Sequence, residues 1–440
     1  MPLPAPAHGL LTRPARACHD DPVRPDDAAF RAAWPSVVRQ LAAHTGSVDA
    51  GEELAAEAVA RAVAHPEPID DLVAWCTTVG RRIHLDAVRH GAVERRALPE
   101  LARRRGGATA ADAEGTEAGA TIDDRLALLH VACDPALGAG SRLVLALRLV
   151  CGLDTARIAW HLGIDPRAAS ARLTRAKRQL AEAAGAFRVP GPEERAARMP
   201  DVLECIAAVH AVGQRDAMRP EGPADDLGRS ALTLATAAAI DRPGDPEAAA
   251  LQAVVLLALA RRPGRFDADG AALPLEEVDR TRWDRRLALA GLERAAQTAG
   301  SGGRFALEAS IAALHVVARR ADGTDWRAIA ELHERLVALR PTPAARVAAA
   351  IARGRVALGS GATGPGDGAR DEAALDEVAA ALAALEHDGP SASRRDASLA
   401  LADLDWQRGR RAEAAARYAA LEPLLRAPLA AFVRRRIRDA

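Results

Sequence analysis

The 440 residues carry 59 basic and 59 acidic side chains, so the formal net charge is zero and nucleic-acid binding, if present, is confined to local patches. Hydrophobic residues make up 49% and aromatic residues only 3%, and an apolar content dominated by alanine and leucine predicts an all-α protein. The five scattered cysteines, Cys18, Cys76, Cys133, Cys151 and Cys205, form no CxxC pair, and no apolar run approaches the ~18 residues of a membrane span; a cytoplasmic protein without a disulfide framework is expected.

Residues 1–25 are proline-rich, lack the apolar core of a signal peptide, and read as a disordered arm. Helix is expected from Asp26 or Asp27 through Phe30, Trp34, Val37, Val38 and Leu41, starting or kinking at Pro35 and closed by Gly46. A second helix, about 49 to 64, gathers Glu52, Glu53 and Glu57 near its start, where the helix dipole favours negative charge. Its predicted inner face is Leu54, Ala58, Val59, Ala62 and Val63. After the break HPEPIDD, a longer helix buries Leu72, Trp75, Val79, Ile83 and Ala87 or Val88, and turns Arg81, Arg82 and Arg89 outward. Residues 91–122 lose hydrophobic periodicity and read as a flexible linker with a reach of about 30 Å on coil scaling.

A second helical unit opens at Asp123. Helices are expected over 125–133, up to the break at Asp134 and Pro135, and over 142–151, ended by Gly152. Two short helices follow in LDTARIAWHLGIDPRAASARLTRAKRQL. Asp154 caps the first and Gly163 ends it; Asp165 caps the second, with Pro166 at its first position. Ala169, Leu173, Ala176 and Leu180 recur at helical spacing as an apolar edge, leaving Arg167, Ser170, Arg172, Thr174, Arg175, Lys177 and Arg178 elsewhere on the helix. Between 155 and 188 there are seven basic residues against Asp165 and Glu182. A helix-turn-helix with such a second helix places it in a DNA major groove.

GEELAAEAV (51–59), AWCTTVGRRIHLDAVR (74–89), DDRLALLHVACDPAL (123–137) and the helix-turn-helix, in this order, resemble an extracytoplasmic-function sigma factor of the sigma-70 family. The third motif and FRVP (187–190) resemble a subgroup with a long helical carboxyl-terminal extension. Ala56, Gly80, Arg82 and Asp134 depart from the pattern. The resemblance implies sigma region 2 over 26–90, binding core RNA polymerase through Glu52, Glu53 and Glu57 and minus-10 promoter DNA through Trp75, Arg81, Arg82 and Arg89. It implies sigma region 4 over 123–188, binding the minus-35 element through Arg167, Ser170, Arg172, Thr174, Arg175, Lys177 and Arg178, with Arg167, Ser170 and Arg172 nearest the base edges and Arg175, Lys177 and Arg178 holding phosphates.

The family-specific helical domain is placed at 189–290 and tetratricopeptide-like repeats at 291–440, with a possible protein partner at the repeats. LADLDWQRGRRAEAAARYAALEPLL (401–425) resembles one such repeat, with Leu401 and Leu404 on its first helix, Gly409 at the turn and Ala412, Ala415 and Tyr418 on the second. No catalytic, cofactor or metal constellation rises above background. His130 and Cys133 lie three apart without further ligands, and FDADG at 266–270 reads as a plain turn. The expected function is promoter-directed transcription initiation. The alternatives are a helical-repeat interaction scaffold, or a stand-alone DNA-binding regulator, built around a degenerate sigma module.

Overall fold

The computed structural model describes residues 26–97, 122–214, 220, 226–359 and 371–440. The expected amino-terminal arm, and residues 98–121 of the expected linker, lie outside them. Among the described residues the protein is all-α, with an isolated antiparallel bridge between Phe266 and Ala272.

Helix α1 (Asp27–Thr45) is capped by Asp26, whose carboxylate accepts from Ala29 N at 2.8 Å, and ends at Gly46 in the left-handed region. It runs through Pro35 rather than starting there, with Pro35 buried against the core. Helix α2 (Val48–Val63) buries Gly51, Glu52, Ala55, Ala58 and Ala62, which rotates its inner face from the predicted one; Val63 is 63% exposed. The cause is close approach to α1, because a Cβ on Gly51 would lie 2.4 Å from Ala42 N. In α3 (Leu72–Ala97) the buried positions are Cys76, Thr77 and Gly80, flanked by half-buried Leu72, Trp75, Val79 and Ile83. The predicted stripe stops at Ile83, since Ala87 and Val88 are exposed, and the helix continues into the first residues of the expected linker. A Cβ on Gly80 would meet the Leu41 side chain at 2.6 Å, which gives the Gly80 departure a packing reason.

Helices α4 (Asp124–Ala132) and α5 (Ala139–Leu145), the latter extended by a π-helical turn Ala146–Val150, follow the predicted order. Asp134 pairs with Arg198 at 2.9 Å and accepts from Ala136 N, so the acid is a structural group at this position. Asp154 accepts from Arg157 N ahead of α6 (Thr155–Leu162), which ends at Gly163 with φ 65°. Asp165 accepts from Arg167 N and Pro166 opens α7 (Pro166–Ala184), whose Ala169, Leu173, Ala176 and Leu180 are all buried, as the spacing predicted. In α6 the half-buried Leu162 gives way to buried His161.

Helices α8 (Pro192–Gln214), α9 (Leu227–Asp241) and α10 (Pro246–Arg261) follow. Residues 248, 250, 251, 253 and 255–260 of α10 are buried, the signature of a helix enclosed on all sides. The loop after it returns tightly: a Cβ on Gly264 would fall 2.1 Å from the Asp279 carbonyl oxygen, so only glycine fits. In FDADG, Asp267 caps the Ala271 N–H at 2.8 Å and Gly270 has φ 83°, a turn geometry. Helices α11 (Arg285–Thr298) and α12 (Arg304–Val317) still pack on the first core through Ala295, Phe305, Ala306, Ala309 and Ala312, so that core extends beyond the expected boundary at 290.

The remaining helices, α13 (Trp326–Leu339), α14 (Pro343–Ala357), α15 (Glu372–Asp388), α16 (Ser391–Gln407), α17 (Arg411–Leu421) and α18 (Leu429–Arg438), each pack on the next in the chain. They enclose three smaller cores instead of joining the large one. Gly409 makes the predicted turn with φ 82°; Ala414 takes the buried place predicted for Ala412, which is exposed.

Candidate nucleic-acid interface

The α6 and α7 pair presents Arg167, Ser170, Arg172, Thr174, Arg175 and Arg178 on the exposed side of α7. Of these, Arg178 has an exposed partner, Glu182 at 3.7 Å, a contact that water and salt readily screen. The geometry therefore leaves a row of guanidinium and hydroxyl donors on one helix, able to engage phosphate oxygens or base edges.

Lys177 differs. Its Nζ lies 2.6 Å from Asp49 Oδ1 and 2.6 Å from Glu52 Oε2, both on α2, and its side chain is 15% exposed. Burial works to lower its pKa, but the hydrogen bonds to Asp49 and Glu52 outweigh it and hold the ammonium above its usual value. In this arrangement Lys177, expected on DNA phosphates, has its ammonium turned to the carboxylates of Asp49 and Glu52.

The acidic helix divides the same way. Glu52, expected to face polymerase, is buried; its carboxylate also receives the Arg148 guanidinium at 2.6 Å. Arg148 further donates to the Leu153 carbonyl at 3.1 Å and sits 5.6 Å from the centre of the Trp34 ring, while Trp34 Nε1 donates to the Arg148 carbonyl at 3.2 Å. Two partly buried cations on one buried carboxylate compensate its desolvation, which a single surface pair does not. Glu53 and Glu57 are exposed; Glu57 pairs with Arg61 at 2.9 Å within the helix.

Other bonds reinforce the union. Phe187 N donates to the Gly46 carbonyl at 2.8 Å, Arg125 donates to the Ala32 carbonyl at 3.3 Å, and Arg39 pairs with Asp124. Trp34, Ala55, Leu128, Leu145, Leu173, Val209 and Leu251 lie in one continuous core. The two expected DNA-binding units are thus packed together, not set apart on a duplex. Arg81, Arg82 and Arg89 are exposed as predicted, Arg89 beside Asp86 at 3.6 Å. Trp75 is half-buried against the core, with the His65 ring edge-on at 5.3 Å, so its indole is largely committed to packing.

Sequence reasoning missed Arg148, Asp49 and Trp160. Arg148 carried a readable signal, a single cation inside the apolar run LVLALRLV. Trp160, 50% exposed on α6, accepts through its carbonyl from Arg426, whose guanidinium lies 4.6 Å from the indole centre, so the last helical pair holds the first helix of the helix-turn-helix. His130 and Cys133 are both wholly buried; neither His130 ring nitrogen has a partner, and burial followed by Arg195 and Arg198 lowers its pKa to about 4. No group of three His, Cys, Asp or Glu suited to a metal occurs among the described residues, and none of their helices is long and apolar enough to cross a membrane.

Residues 198–299, which span α8 to α11, match the family of unknown function DUF6596. No solved structure matches the chain. Uncharacterized protein R00370 of Rhizobium meliloti (strain 1021) is 35% identical over 334 residues, covering 74% of this chain and 78% of that protein. At this identity and coverage, the chain belongs to the same family as R00370.

Proposed function

We propose that this protein is an alternative sigma factor of the extracytoplasmic-function type, held in a closed arrangement in which Lys177 of the basic helix is paired with Asp49 and Glu52 of the acidic one. The observation that carries the reading is the exposed donor row of α7, Arg167, Ser170, Arg172, Thr174, Arg175 and Arg178, set on a helix whose opposite edge is buried and whose caps match a helix-turn-helix. The motif order of the amino-terminal half supports it. In this reading Glu53 and Glu57 dock on core RNA polymerase, Arg81, Arg82 and Arg89 hold minus-10 DNA, and α7 reads the minus-35 element. The chain itself breaks no bonds; polymerase does. Opening separates α2 from α7, freeing Lys177 for phosphate and Glu52 for polymerase.

The burial of Glu52 also favours a second reading, a scaffold or stand-alone DNA-binding regulator in which α2 never meets polymerase. Pull-down of core RNA polymerase by the full-length protein, with run-off transcription from a promoter library, separates the two. Start-site-specific transcripts, lost in the double variant Glu53→Lys and Glu57→Lys, are expected for the sigma factor. Neither polymerase binding nor specific transcripts, with duplex binding retained, overturns it in favour of the regulator.

A further inference from the structure

Helices α14, α15, α16 and α18 and the segment 272–275 border a half-open cavity of about 470 Å³ that takes no part in the interface above. Val347, Val378, Leu382, Leu404 and Phe432 make its apolar wall, and each is buried. Its volume falls in the range of small-ligand pockets.

The polar end of the cavity is acidic. Tyr418 lines it, is wholly buried, and has a hydroxyl with no hydrogen-bond partner. Asp403 lines it beside Tyr418 and keeps 31% of its side chain accessible, although Arg355 donates to it at 3.2 Å, Gln407 hydrogen-bonds it and Arg436 acts on it electrostatically. Asp396 adds a second carboxylate, paired with Arg395 at 3.4 Å. Arg355 also pairs with Glu276, so the one cation of the lining is shared between two acids. Arg411 and Arg436 sit outside the lining with their guanidinium groups 3.7 and 4.3 Å from the centre of the Trp406 ring, and Arg436 reaches Glu277 at 3.7 Å. Burial, followed by Asp403, raises the Tyr418 pKa, and burial raises that of Asp403 against the opposing pull of Arg355. A buried hydroxyl without a partner beside a carboxylate that keeps part of its side chain accessible offers a place for a donor, and a cationic donor also meets the carboxylate's charge.

The cavity also touches the segment that holds the helix-turn-helix. Leu429 and Phe432 line it, and Arg426, three residues before Leu429, is the side chain bound to Trp160 of α6. Any group that moves the start of α18 acts on that clasp.

We propose that this cavity binds a small aliphatic primary amine, its ammonium held by Asp403 and the Tyr418 hydroxyl and its chain by Val378, Leu382 and Leu404, and that occupancy is transmitted through 426–432 to α6. The site stands whether or not the chain meets polymerase, because binding and transmission are both read on the isolated protein.

The test is calorimetric titration of the full-length protein with octylammonium, octanol and octanoate, combined with hydrogen exchange of residues 155–162. Octylammonium is expected to bind most tightly and octanoate least. Tyr418→Phe keeps the ring and is expected to weaken octylammonium by about tenfold. Leu382→Trp fills the space and is expected to abolish binding, with unchanged helicity by circular dichroism. Exchange of α6 is expected to change on octylammonium binding and not with Leu382→Trp. Absence of binding by octylammonium at millimolar concentration, binding of octanoate as tight as that of octylammonium, or binding indifferent to Leu382→Trp overturns the site. Binding that leaves α6 exchange unchanged overturns the transmission.

Discussion

The amino-terminal three quarters and the carboxyl-terminal array are both built of helices, yet they use space differently. From Trp34 to Ala312 one core runs unbroken through α1 to α12, and its cross-contacts include charges buried together, Glu52 with Arg148 and Lys177. From α13 onward the helices divide their apolar residues among three smaller clusters and leave a cavity of about 470 Å³ between them. The first region is organised to hold one arrangement, since separating its parts strips partners from buried ions. The second is a succession in which each helix packs chiefly on the next, an architecture whose contacts are local along the chain.

The largest expected effect comes from acid, and it falls on the first region and its boundary. His130 and His210 have pKa values lowered to about 4, and His315 to about 3, each chiefly by burial and then by neighbouring arginines. In the unfolded chain these rings titrate near 6.5. Above that value neither state binds the proton and the full stability is present. Below it the unfolded state binds protons the folded state refuses, so stability falls with pH, by up to about 1.4 kcal/mol per pH unit per histidine, until the folded values are reached. Denaturant titrations between pH 7 and 4.5 measure the slope, and His130→Leu should reduce it by one histidine's share; an unchanged slope contradicts the placement of His130.

Core truncation comes next and compares the regions directly. Leu145→Ala, in the continuous core, is expected to cost about 3–5 kcal/mol, and Leu404→Ala, beside an existing cavity, about 2 kcal/mol. Equal costs by chemical denaturation would remove the distinction between a filled and an open core. Glu52→Gln leaves Arg148 and Lys177 sharing a neutral group and is expected to destabilise by about 3 kcal/mol. The neighbouring change Glu57→Ala, at an exposed pair within one helix, should cost under about 0.5 kcal/mol. If the two carboxylates prove equivalent by thermal unfolding, the contact between α2 and α7 does not hold the closed arrangement. At the small end, Asp165→Ala should remove about 1 kcal/mol by taking the cap from α7.

The sequence by itself determined the local punctuation: Asp26, Asp123, Asp154 and Asp165 as caps, Gly46, Gly163 and Gly409 as stops or turns, and the buried edge Ala169, Leu173, Ala176 and Leu180. These are set by hydrogen bonds and side-chain spacings within about four residues, so the information lies next to the structure it specifies. The exposed basic positions of α7 followed from the same periodicity. What only the tertiary structure decided was which charges meet. Glu52, Glu53 and Glu57 are the same residue type on one helix, and α2 turns by close contact at Gly51 so that Glu52 alone is buried. Its partners Arg148 and Lys177 lie 96 and 125 positions away, and nothing in local spacing encodes a register across that separation. The cavity was likewise illegible, because Tyr418 and Leu404 read as ordinary repeat packing until the facing helices showed that the space between them is left open.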